Sequence, residues 1–148
     1  MIMHHPHVLQ GIDVLDNHYV FYSLGNFCFG GNMTIRASEK DSRIRTLETV
    51  VLQIDLHFTD EGKYLGQEGR IYPCYISSSA SKVNDPNDVQ PKFVTGAQAQ
   101  GVLDRIQHDT KFALEPLAPG ADYVRLPYLE APATGGETYL VTESGSGN

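Results

Sequence analysis

Apolar and polar positions alternate, or fail to, in a way that divides the chain into strands before any single residue is considered. Residues 8–15, VLQGIDVL, read as a first strand, and Asp16-Asn17-His18 supply turn chemistry. Residues 19–24, YVFYSL, are apolar on both faces, the pattern of a buried central strand, so the two runs with their tight polar turn predict a hairpin. That second strand ends at Gly25-Asn26, before the aromatic stretch Phe27-Cys28-Phe29. Residues 33–45 are charged and irregular and predict an exposed loop. Residues 46–58 are a long β-type run, and from Val50 the period of two is clear: Leu52, Ile54, Leu56 and Phe58 point one way, Gln53, Asp55 and His57 the other. A turn at 59–63 leads to a partner strand at 64–76, where Pro73, unable to donate a ladder hydrogen bond, predicts an edge or a bulge.

Residues 77–92 are rich in Ser, Asn, Asp and Pro and read as a loop. The period then changes to that of a helix. Ala99, Val102, Leu103 and Ile106 form an apolar stripe behind a capping Thr95, with Gly101 weakening the segment. Beyond residue 112 the pattern fades: four of the eight prolines follow Glu115, and the chain ends in Ser-Gly repeats. Residues 113–148 are therefore expected to be an extended or partly disordered tail, with 123–129 and 139–142 able to dock as edge strands. The fold class expected is α/β, or more narrowly α+β within this chain: antiparallel hairpins and one clear helix over residues 1–112.

Composition narrows the function classes. A chain of 148 residues suits one domain. Its formal net charge of −7, without a basic run, argues against nucleic acid as a partner and against anionic membranes. No apolar run approaches the roughly 20 residues of a membrane span, and no signal peptide is legible. Cys28 and Cys74 lie far apart in apolar runs, so buried free thiols are the default and a single disulfide stays open.

Candidate chemistry is concentrated at the start, where "MIMHHPHVLQ" places three of the six histidines within four positions. Proline biases His5 toward the extended region. In an extended segment His5 and His7 would share a face and His4 would point away. Neutral imidazoles suit Zn, Fe or Mn, but one such pair cannot complete a dinuclear hydrolytic centre. The plain alternative is a solvated, tag-like terminus, since short histidine clusters are weak signals on their own. Asn26 is the next candidate, either as a ligand contact or merely as part of the Gly25-Asn26 turn. Asp55-x-His57 has metal-ligand letters but lies on the polar face of a late strand without companions. His18, in a turn, and His108, at a helix end, are expected to be solvated.

The stretch "HHPHVLQGIDVLDNHYVFYSLGNFCFGGN" resembles the C-terminal signature of the bacterial CapA or PgsA family of capsule and poly-γ-glutamate synthesis proteins. The likeness continues through "ETVVLQIDLHF", "YPCYISS" and "NDVQPKFVTGAQAQGVLDRI", covering residues 3–108. The resemblance implies the C-terminal part of a sandwich like that of calcineurin-type metallophosphoesterases, whose last motif, Gly-His-x-His, supplies metal ligands. Carried onto this chain, the ligands are His5 and His7, with His4 beside them and Asn26 as candidate contacts. The implied cofactors are divalent ions (Mn, Fe or Zn), incompletely coordinated here, because the upstream Asp-x-His, Gly-Asp and Asn-His segments are not in this sequence. The chain is accordingly expected to be the C-terminal part of a longer protein and inactive alone. Its expected partners are the missing N-terminal part of the domain or an upstream-encoded chain, and capsule-synthesis membrane proteins. Members of the family are commonly associated with the cell envelope or extracellular. The second reading is a non-catalytic binding or scaffold module of an envelope assembly, with Phe27, Phe29, Tyr72 and Tyr75 as contacts, against which ordinary core packing of those aromatics is the simpler expectation.

Overall fold

Two left-handed residues set the first hairpin. In a computed structural model, which describes residues 1–27, 47–77 and 90–132, β1 (Ile12–Leu15) runs antiparallel to β2 (His18–Phe21) with Leu15 opposite His18. Between them Asp16 and Asn17 take φ of 48° and 57°. Positive φ at both central positions is the type I′ turn, whose twist matches the flanking strands, and Asp and Asn tolerate it. The pairing continues irregularly past the strand ends, with Gln10 N–H donating to Ser23 O at 3.1 Å and Leu9 bridging Leu24. On its other edge β2 takes Met1–Met3 in parallel: Phe21 N–H donates to Met1 O at 2.9 Å and Met3 N–H to Phe21 O at 3.0 Å. Tyr19 and Phe21 pack into the core and Val20, on the opposite face, is also buried, as the two-faced apolar pattern predicts.

The second sheet is built on a long hairpin of β3 (Glu48–Phe58) and β4 (Tyr64–Ser77). Both β5 (Gln90–Phe93) and β6 (Val124–Glu130) pair antiparallel with the other edge of β4. Residues 90–92, expected to be loop, thus belong to a strand. QPKF carries no alternation to announce one, and Pro91 is acceptable because β5 is an edge. Pro73 corrects the expectation of an edge or a bulge differently, since it sits fully buried in the interior strand β4. Its carbonyl accepts from Val94 N–H at 3.1 Å, so its nitrogen faces the same edge. There β6 has stopped pairing at Ile71 and β5 begins only at Cys74, so no ladder bond is lost. The stretch expected to dock as an edge strand near 123–129 does so as β6. The loop at 33–45 and the segment at 139–142 lie outside the described residues.

Helix α1 (Gly96–His108) buries Ala99, Val102, Leu103 and Ile106, the predicted stripe. Thr95 holds the N-cap position with extended dihedrals, but its side chain makes no capping bond. The stripe meets Leu9, Ile12, Phe21, Val50 and Ile71 in one core, to which β6 adds Val124 and Leu126. Leu52 and Ile54 pack against this core, whereas Leu56 and Phe58, farther along the same face, are 56% and 46% exposed because the hairpin outruns it.

Among the polar contacts that tie the small hairpin sheet to the rest are three clasps. The buried Thr110 hydroxyl donates to Ile106 O at 2.7 Å and accepts from Ile12 N–H at 2.9 Å, joining the helix end to β1. Beside it, Gly11 approaches so closely that a Cβ would lie 2.2 Å from Asp109 O. The Tyr19 hydroxyl donates to Pro127 O in β6. The third clasp is at the end of the hairpin, where Leu24 O accepts from Thr49 Oγ1 at 2.9 Å and from Val50 N–H at 3.4 Å, and Gly25 bridges Thr49. Gly25 takes φ of 77°, and a Cβ there would lie 2.6 Å from Glu48 O.

Two outcomes are expected. Gly25→Ala should lose about 1–3 kcal/mol of stability, the usual cost of forcing a side chain into such backbone. An unchanged urea midpoint would show that the glycine is dispensable. Burial raises the Tyr19 phenol to about 12, so the folded chain holds that proton more tightly than the unfolded chain, whose tyrosine titrates near ~10. This contribution is complete below the unfolded value and is lost as pH rises through the folded one. Between those two values the wild type should lose up to about 2.7 kcal/mol more than Tyr19→Phe, taking 1.36 kcal/mol per pH unit. Urea unfolding at both pH values measures it, and equal losses in the two proteins would refute the assignment.

Candidate functional site

The histidine segment is a turn, not the extended run expected from the proline. His7 N–H donates to His4 O at 3.1 Å, closing four residues on themselves. Pro6 has no N–H of its own to compete and a φ fixed by its ring, and His7 takes φ of 59°. Histidine is one of the few residue types enriched in that region. The i, i+2 relationship that would put His5 and His7 on one face of a strand therefore does not operate. His5 stands exposed within the turn, and the histidines on either side are held from beneath.

Their support is the Ser23–Asn26 segment that follows β2. His7 Nδ1 lies 2.7 Å from Asn26 Oδ1, and His4 Nδ1 lies 3.3 Å from Gly25 O. Asn26 is 4% exposed, and Ser23, buried beside it, accepts Gly25 N–H on its hydroxyl at 3.3 Å. Gly25 thus bridges β3, and Asn26 after it carries a side chain to the histidines. The sequence marks these residues individually, but nothing local in it joins His7 to Asn26.

The remaining histidines have other work. Asp55 accepts from Arg70 across the sheet at 3.2 Å and from Gln53 at 3.0 Å, whereas His57 Nε2 lies 3.3 Å from Glu68 without hydrogen-bond geometry, its ring edge-on to Tyr128. His18 is exposed, with Nδ1 on Asp16 O at 2.7 Å and its ring stacked on Tyr64. His108, also exposed, lies 2.8 Å from Asp109. Asp13 has its carboxyl held below the ordinary range, chiefly by the Val14 N–H. Cys74 is a free, buried thiol that burial pushes up, matching the default reading; Cys28 lies outside the described residues.

No group of three or more His, Cys, Asp or Glu among the described residues is arranged to hold a metal ion. The donors nonetheless suit a divalent metal as part of a larger set. They are imidazoles, and one is backed by a buried acceptor on its other nitrogen, as ligating histidines usually are.

A second feature has no local sequence signal. Tyr72, Phe93 and Tyr123, from β4, β5 and the approach to β6, cluster with ring centroids 5.9 Å (Tyr72–Phe93) and 5.3 Å (Tyr72–Tyr123) apart. Arg70 and Arg125 stand 5.8 and 6.0 Å from the Tyr123 ring centre, and Phe93 is 63% exposed. Of the aromatics expected as contacts, Phe27 is 43% exposed, Tyr75 packs on Leu47 and Ile76, and Phe29 is outside the described residues.

Comparison with known proteins bears on the same segment. Residues 1–31 match the family described as bacterial capsule synthesis protein. The chain is 39% identical over 62 residues to the capsule biosynthesis protein CapA of Bacillus anthracis, covering 42% of this chain and 12% of that protein. It is 34% identical over 64 residues to the PGA biosynthesis protein CapA of Bacillus subtilis (strain 168), covering 43% of this chain and 14% of that protein. The matched stretches therefore span about an eighth of these relatives. No solved structure matches the chain significantly. Among the described residues no helix is long and apolar enough to cross a membrane. The residues matched by the family model hold the histidine turn, the hairpin and the Gly25-Asn26 clasp, and there the chain is similar to bacterial capsule synthesis proteins, CapA among them.

Proposed function

We propose that the chain supplies the histidine-bearing portion of a divalent-metal centre in a protein of capsule or poly-γ-glutamate biosynthesis, with His5 and His7 as ligands. The observation that carries this reading is the seating of His7 on Asn26 at 2.7 Å, an exposed imidazole backed by a buried amide. His5, exposed in the same turn, is the second donor, and His4, steadied by Gly25 O, is the nearest contact for a bound anionic group. Bound there, Mn, Fe or Zn would supply Lewis acidity and an activated water, as in phosphoester hydrolysis. The chain's own residues orient the imidazoles and leave the coordination sphere incomplete. The other ligands belong in this reading to a further segment of the same domain or to an upstream-encoded chain, in keeping with the small share of the relatives that is matched. Capsule-synthesis membrane proteins at the cell envelope are the partners of the assembled form, and this chain alone is inactive.

A second reading, a non-catalytic binding module, is favoured by the Tyr72–Phe93–Tyr123 cluster with its two arginines. Aromatic faces flanked by guanidinium groups on an open sheet suit contact with another molecule and need no metal.

Purified chain should retain little metal after dialysis and hydrolyse no bis(p-nitrophenyl) phosphate. Added Mn²⁺ or Zn²⁺ should bind weakly, and the binding should vanish in the His5→Ala/His7→Ala double variant. Near-stoichiometric tight metal with turnover would overturn the incomplete-centre reading. Metal binding indifferent to both histidines would overturn the assignment of the site and leave the binding-module reading.

A further inference from the structure

We infer that Asn26 is a positioning residue, which holds His7 in its Nδ1–H tautomer and so presents Nε2 as the lone-pair nitrogen of the turn. The use of that nitrogen as a metal donor rests on the function proposed above; the tautomer does not.

The argument is one of donors and acceptors. Asn26 Oδ1 can only accept, and it lies 2.7 Å from His7 Nδ1. The proton in this contact must therefore sit on Nδ1, and in the neutral ring the lone pair then falls on Nε2. A free histidine prefers the opposite form, with the proton on Nε2, so the contact reverses the intrinsic preference. The neighbouring ring obeys the same rule: His4 Nδ1 faces Gly25 O, a carbonyl that can only accept. Two imidazoles of one turn are thus given the same tautomer by two successive residues of one supporting segment.

Packing alone does not account for the arrangement. His7 is exposed, and an exposed ring can satisfy its N–H with water at no loss. Asn26 is 4% exposed and follows the glycine clamped on Thr49, so its side chain is aimed by the fold. What a direct bond adds over water is a fixed ring direction and a fixed tautomer. Those are the properties a ligating histidine takes from its supporting partner.

The test is long-range ¹H–¹⁵N correlation on the full chain, at a pH well above the histidine range, with Zn²⁺ as the metal probe. Wild-type His7 should show the Nδ1–H pattern, Asn26→Ala should shift it toward Nε2–H, and Asn26→Asp, whose carboxylate still accepts, should restore Nδ1–H. Zn²⁺ should then perturb His7 Nε2 in the wild type and in Asn26→Asp, with about 10–100-fold weaker binding in Asn26→Ala. A wild-type His7 in the Nε2–H form, or a tautomer unchanged in a folded Asn26→Ala, overturns the inference. If Asn26→Ala fails to fold, the wild-type and Asn26→Asp spectra decide it alone. The expected tautomers without any response to Zn²⁺ would uphold Asn26's role and overturn the metal reading, so the two failures are distinguishable.

Discussion

The docking of Leu24 and Gly25 on the start of β3 is the constraint through which the histidine turn acquires a fixed place. A two-stranded hairpin is marginal by itself in water, and here it carries the Met1–Met3 segment and the turn on its outer side. One carbonyl, Leu24 O, receives both the Thr49 hydroxyl and the Val50 amide, using both of its lone pairs. Gly25 can follow only because it lacks a Cβ at a point where Glu48 O leaves no room. Asn26 is the next residue, so its direction beneath His7 is inherited from this contact. The clasp at Thr110 holds the start of β1 against the end of α1, the clasp at Tyr19 holds β2 nearer the turn against β6, and both strands contribute to the shared apolar core.

Much of this frame is legible in the sequence because it depends on local rules. Asp16-Asn17 are residues that accept left-handed backbone, and they make the turn the hairpin needs. The stripe of α1 and the alternation of β3 are periodic, and periodicity survives tertiary packing when one face is buried. Where the reading fails, the deciding contact is distant. β5 has four residues, a proline and no apolar alternation, and it exists because β4 offers it an open edge. Pro73 is tolerated within an interior strand because two neighbouring strands leave a gap at its nitrogen, a property of β5 and β6 rather than of Pro73. The reach of the β3 alternation was likewise invisible: nothing in Leu56 or Phe58 reveals that the core ends before them.

The candidate site divides in the same way. His4, His5, His7 and Asn26 are legible as residues with suitable chemistry, and the family likeness rests on the motifs that contain them. Their geometry is not legible. A proline after His5 argues for extended backbone, yet the His7-to-His4 bond and the seating on Asn26 close the segment into a turn. Sequence reasoning weighs the residue before a proline; it has no access to a partner nineteen positions away. Asp55 and His57 illustrate the converse, since their spacing imitates a ligand pair while Arg70 across the sheet takes Asp55 and His57 packs between Glu68 and Tyr128.

In small zinc domains the metal organises the ligands, and folding and binding are one event. In this chain the turn is closed by a backbone bond, its flanking rings are fixed by Gly25 and Asn26, and those residues are fixed by β3 and the core behind it. The His4 and His7 imidazoles are thus set in place by protein contacts, so an ion arriving there would meet an oriented His7 beside the exposed His5 instead of ordering a loose segment. Preorganisation of this kind lowers the entropic cost of binding but cannot supply missing ligands. Affinity in such a site is limited by the number of donors, while direction and tautomer are already determined by the fold. A chain built in this way can keep its architecture without metal and still contribute an oriented half to a centre completed by other residues.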